Sequence, residues 1–147
     1  MSSEHRFYTK QIVLWTKKYF NHPGLDISDD TQDNKESCSR PRKVYASVDG
    51  DIRSCLPDFA AINIFQEPNL YILGEAKTAD DIDIRSKEAD NQMNVMINFL
   101  KKQPKPILIY SVPNEIVDKV QNKLNEKIIK YQADNIEYTV LDQFFKP

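Results

Sequence analysis

Apolar side chains recur at helical spacing near the start of the chain. Tyr8, Ile12, Trp15 and Tyr19 fall on one face of the segment 4–20, so an amphipathic helix is expected there, with Trp15 in its core face. His22-Pro23-Gly24 ends it. The polar stretch at about 21–42 has no apolar period and reads as an acidic loop. Three β-type runs follow: 43–48 (KVYASV), then 58–65 (DFAAINIF) and 70–78 (LYILGEAKT) on either side of a turn at 66–69, with Asp49-Gly50 as a further turn signal. Their succession predicts an antiparallel meander. Ala89, Met93, Met96 and Leu100 predict a second helix over 84–102, with the two methionines in the core. The run 106–112 (PILIYSV) suits a strand buried on both faces. Ile116, Val120, Leu124 and Ile128 mark a third helix after Pro113-Asn114, and 136–141 (IEYTVL) closes the chain as a strand. The expected class is α/β, a mixed β-sheet flanked by helices in the order αβββαβαβ. Strand-helix-strand units provide the parallel pairs.

A length of 147 residues with 40% apolar and 29% charged residues fits one domain over 1–147 and excludes a disordered or multidomain chain. No run approaches the roughly 18 apolar residues of a membrane span, and the N-terminus lacks the apolar region of a signal peptide. A cytoplasmic protein with no membrane partner is expected. Cys38 and Cys55 match no redox or zinc spacing and read as reduced thiols. His5 and His22 are too few for a histidine cluster and read as structural or exposed. Three glycines, none in a phosphate-loop spacing, argue against a nucleotide cofactor.

The chemistry-bearing residues lie on the second predicted hairpin. Pro57-Asp58 opens one strand and Glu75-Ala76-Lys77 ends the next. Glu75 and Lys77 share a face because side chains alternate along a strand. A four-residue turn at 66–69 pairs Asp58 with Lys77, which leaves Asp58 diagonal to Glu75 on the same face. Opposed side chains lie about 5 Å apart and diagonal ones about 7–8 Å, close enough for two carboxylates to ligate one hard cation. Mg²⁺ takes one or two protein carboxylates and keeps several waters; the Ala76 carbonyl is a candidate third ligand. Such an ion lowers the pKa of a bound water and polarises a phosphodiester, while Lys77 orients the nucleophile or neutralises developing charge. The competing reading is a satisfied cross-strand ion pair, worth about 0.2–1 kcal/mol.

Pro57-Asp58 followed by Glu75-Ala76-Lys77 resembles the signature of the PD-(D/E)XK nuclease superfamily, and the element order resembles its αβββαβ restriction-endonuclease-like core, with some similarity to small VRR-type or junction-resolvase-like members. The resemblance implies a Mg²⁺-dependent DNA endonuclease, with Mn²⁺ as substitute. It assigns Asp58 and Glu75 as metal ligands and Lys77 as the catalytic lysine. Gln92 resembles a glutamine that several branches place after the ExK strand. Met96 departs from the tyrosine that one branch shows in a QxxxY pattern. An acidic residue from the first helix is common in the superfamily, and Glu4 is the candidate here.

Twenty Lys and Arg against 22 Asp and Glu give a net charge of −2, without the basic excess typical of small DNA-binding domains. The charge is uneven: Asp26, Asp29, Asp30, Asp33 and Glu36 crowd one stretch against Lys35 alone, and outside it basic residues outnumber acidic ones. Arg40, Arg42, Lys43, Lys101, Lys102 and Lys105 are the candidate phosphate contacts. Asp80, Asp81 and Asp83 solvate a loop and start a helix, or border a second metal position. DNA is the expected partner, and a homodimer or larger complex is expected because cutting both strands calls for two sites. Two alternatives stay open: an RNA-directed nuclease, and a catalytically inactive nuclease-like module that binds nucleic acid or protein.

Overall fold

A computed structural model describes residues 2–31 and 40–147, so Cys38 and the charges Asp33, Lys35 and Glu36 of the acidic stretch lie outside the described residues. The chain is α/β. Helix α1 (Ser3–Tyr19) is followed by β1 (Asp26–Asp29), β2 (Val44–Val48), β3 (Asp51–Cys55), β4 (Phe59–Asn63) and β5 (Leu70–Ala76). Then come a short α2 (Ala79–Asp83), α3 (Ser86–Leu100), β6 (Lys105–Ser111), a 3-10 turn at Asn114–Ile116, α4 (Val117–Lys130) and β7 (Glu137–Leu141). Five strands form a mixed sheet in the order β1-β4-β5-β6-β7, antiparallel at β1-β4 and β4-β5 and parallel at β5-β6 and β6-β7. Both parallel pairs are joined through helices, α3 and α4, as expected. No helix among the described residues is long and apolar enough to cross a membrane.

Alternation along the strands sorts the core into two layers. Ile27, Phe59, Ala61, Leu70, Ile72, Ile107 and Ile109 pack against Ile12 and Val13 of α1, with Trp15 partly buried at the margin. Ala60, Leu73, Leu108 and Tyr110 face the other way, toward Met93, Met96 and Leu100 of α3 and Val120 and Leu124 of α4.

Three expectations are corrected. The stretch 21–42 is not wholly a loop, because Asp26–Asp29 is an edge strand antiparallel to β4. It holds one apolar residue, Ile27, among three polar ones, so it carries no period; pairing with β4 and contact with α1 make it a strand. The run 43–48 is not part of the main sheet. It pairs with β3, which the order αβββαβαβ omits, in a separate two-stranded sheet. The turn Asp49-Gly50 has positive φ at both residues, as a type I′ hairpin requires. Val44, Val48 and Cys55 of that hairpin join the α3-side core, and β1 takes the meander position expected of β2.

The third correction is register. Phe59 pairs with Gly74 and Asn63 with Leu70, a shift of two residues from the expected alignment. Strand β4 stops at Asn63 because its side chain turns the chain: Oδ1 accepts from the Phe65 N–H at 3.0 Å, and Nδ2 donates to the Pro23 carbonyl at 3.2 Å. Ile64 and Phe65 thus leave the sheet and are exposed. A shift of two preserves the face of every side chain, whereas a shift of one would reverse it.

Candidate carboxylate site at the sheet edge

The register aligns three carboxylates. Continued one residue beyond the ladders, it sets Asp58 across from Glu75 rather than from Lys77, and Asp30 across from Asp58. The Asp30 N–H donates to the Asp58 carbonyl at 2.9 Å, which extends β1-β4 pairing to this pair. Asp30, Asp58 and Glu75 therefore form a row across three adjacent strands on the α3 face. Tyr110, fully buried beside Glu75 on β6, closes the row from the interior.

Backbone amides fix the two central carboxylates. Asp58 Oδ2 accepts from the Ala76 N–H at 2.9 Å, and Glu75 Oε1 accepts from the Asp58 N–H at 3.2 Å. Glu75 is 1% exposed, and its other oxygen lies 3.3 Å from Lys77 Nζ. Lys77 Nζ also donates to Gln92 Oε1 from α3, so the glutamine does join the site. Below them Cys55 Sγ lies 3.9 Å from the Gln92 carbonyl.

The first helix contributes His5 rather than Glu4, which is exposed. Ser2 caps α1 by accepting from the His5 N–H at 3.1 Å, which fixes the first turn beside the sheet edge. His5 Nε2 reaches Asp30 Oδ2 at 2.8 Å and lies 3.6 Å from Asp58 Oδ1. Among the described residues, His5, Asp30 and Asp58 can offer ligand atoms all within 4.8 Å of one another. Neither His5 nor Asp30 stood out in the sequence. His5 lacked any spacing partner, and Asp30 is one acid among several in an unpatterned stretch.

Electrostatics follow from this crowding. Burial, then the charges of Glu75 and Asp30, push the Asp58 carboxyl well above the ordinary range, against the Ala76 N–H. Burial raises Glu75, opposed chiefly by Lys77. Burial alone would lower Lys77, but the charges of Glu75 and Asp58 together hold it above its ordinary value. The hydrogen bond to Asp30 raises His5 against the effect of its own burial.

The basic candidates divide. Arg40 and Arg42 line a cleft on the same sheet face as the carboxylates, and Lys43 is exposed beside them. Lys101, Lys102 and Lys105 lie at the far end of the sheet, since Lys105 pairs with Leu70, the strand end opposite Glu75. Lys101 donates to the Tyr131 carbonyl, and Lys105 sits over the Phe20 ring. Asp81 belongs to a capping box with Thr78 and pairs with Arg85, while Asp83 pairs with Lys119. Comparison with protein families, with curated proteins and with solved structures returns no match to this chain.

Proposed function

We propose that the chain is a divalent-metal-dependent nuclease of PD-(D/E)XK type, acting on DNA phosphodiesters through Asp58, Glu75, Lys77 and Gln92. The carrying observation is the cross-strand pair Asp58 and Glu75 with Lys77 held between Glu75 and Gln92. The sheet order supports it: a meander β1-β4-β5 followed through α3 by a parallel β6 is an arrangement that such a core would have.

The donor set fits a hard cation in part. Asp58 is shared between two candidate groupings, one with Glu75 and one with His5 and Asp30. The Ala76 N–H points at Asp58, and in extended backbone a residue's carbonyl lies on the same side as its N–H, so the Ala76 carbonyl suits a third oxygen ligand. Carboxylates suit Mg²⁺ or Mn²⁺, and an imidazole ligand favours the transition metal. Bound there, such an ion would supply a lowered water pKa and polarise the phosphodiester. The chain's own part is positional. Lys77 presents a fixed ammonium to charge developing on the phosphate, Gln92 and Glu75 hold it, and Asp58 and Glu75 are pre-set by backbone amides.

A second reading has its own observation: both Glu75 oxygens are already partnered, by the Asp58 N–H and by Lys77. A closed network of that kind suits a non-catalytic module. Cleavage of labelled single-stranded, duplex and branched DNA under titrated Mg²⁺ and Mn²⁺, with calorimetry of Mn²⁺ binding, separates the two. The nuclease reading expects cutting that Asp58→Asn and Lys77→Met each reduce by about 100-fold or more. Intact DNA throughout, with no Mn²⁺ binding, would overturn it.

A further inference from the structure

The sheet face that carries the carboxylate row continues away from it as a cleft of about 330 Å³. Its floor is Ser28, Ala60 and Ile62, and Ala60 follows Asp58 by two residues on the same face, a step of about 7 Å. Arg40 and Arg42 line it, both exposed, and neither forms an ion pair among the described residues. Asp26 is the one acid among the described residues that line the cleft, and it forms no ion pair with them. Among the described residues, then, the cleft sets two guanidiniums beside one carboxylate, a balance that favours an anion there.

The cleft also has an aromatic wall. Tyr71 pairs with Ile62 across the sheet, is half-buried, and its ring meets Phe99 edge-on at 5.0 Å and 74°. That contact locks the ring. Arg42 is close enough to act on the Tyr71 phenol, opposing the effect of burial. A cleft near the lower end of the roughly 300–1000 Å³ range of small-molecule sites has room for one nucleotide unit, not a duplex.

We propose that this cleft binds one unpaired nucleotide of a single-stranded nucleic acid, with its base against Tyr71 and its flanking phosphates on Arg40 and Arg42. The proposal rests on the nuclease reading for its placement, since it puts the next phosphate of the strand over Asp58. Single strands are favoured because only an unpaired base can offer its face to an aromatic ring inside so small a cleft. The Ser28 hydroxyl, which donates to the Ala60 carbonyl, and the exposed Asp26 carboxylate provide acceptors for base amines along the lining.

The test is fluorescence anisotropy of a short labelled single-stranded oligonucleotide in EDTA, which separates binding from cutting. Arg40→Gln with Arg42→Gln weakens binding by about tenfold at low salt and reduces the slope of log K against log salt by about 1.4, two contacts at about 0.7 each. Arg40→Lys with Arg42→Lys retains most of the affinity, which excludes a folding defect. A matching duplex competes at least about tenfold less well than the single strand. Unchanged affinity in the Gln variant, equal competition by duplex, or no single-strand binding by the native chain overturns the proposal. If the Gln variant loses binding in a protein that cuts nothing, the cleft stands and the nuclease reading falls. Unchanged binding with intact cleavage gives the reverse.

Discussion

Asp58 and Glu75 face each other across adjacent antiparallel strands, and each accepts a hydrogen bond from the other's strand: Ala76 N–H to Asp58, Asp58 N–H to Glu75. Two carboxylates fixed so closely cannot both ionise without a compensating charge. Because Asp58 is raised in the folded state, its proton stabilises the fold below the ordinary carboxylate range, and that stabilisation is lost as pH rises through the raised value. Asparagine keeps the acceptor for Ala76 without the charge. Asp58→Asn should therefore melt higher than the native chain at pH 8 without metal, by about 2–4 °C for each kcal/mol gained, with the gap closing toward pH 4. Thermal melts by circular dichroism at the two pH values check this; a lower melting point at both would contradict it.

Lys77 stands in the opposite relation to Glu75. Removing it strands a carboxylate that is 1% exposed. Lys77→Met is expected to cost about 3–5 kcal/mol. Adding Glu75→Gln should recover most of that loss, which urea titration of the four chains in a double-mutant cycle measures. Purely additive effects would show that the pair is not coupled.

Gly74 lets α1 approach the sheet beside the site. A Cβ there would lie 3.0 and 3.1 Å from two Ile12 side-chain carbons and 3.2 Å from Phe59 Cβ. Gly74→Ala should destabilise by about 1–3 kcal/mol, and Ile12→Val in the same chain should relieve part of it. Chemical denaturation reads both.

Cys55 is buried, and burial pushes its thiol up to about 12, with Glu75 adding to the rise. Alkylation at pH 8 in a Cys38→Ser chain should be far slower in the native state than in denaturant, because so little thiolate forms. Equal rates in the two states would mean that the hairpin end opens freely.

The sequence exposed the helices and the central strands because Ile12, Met93, Met96, Val120 and Leu124 repeat at helical spacing and residues 106–112 form one apolar run. It also exposed the Asp58, Glu75 and Lys77 face, because a register error of two leaves side-chain parity intact. Strand β1 was hidden by its single apolar residue, and β3, with Asp51, Arg53 and Ser54, by its polarity. His5 and Asp30 were hidden for a different reason. They meet Asp58 only because an edge strand and a helix start converge there, and no local spacing encodes such a meeting.

Asp30 and Asp58 are neighbours across the sheet, yet residues 31–57, including the β2-β3 hairpin, run between them. Closing a span of that length has an entropic cost of about 3 kcal/mol, and doubling it would add only about 0.6. In a refolding chain the carboxylate row should accordingly be completed after the β4-β5 hairpin, whose loop is much shorter. Over evolutionary time the same excursion is where the chain can lengthen most cheaply, acquiring new surface beside the row while the three strands that align it stay as they are.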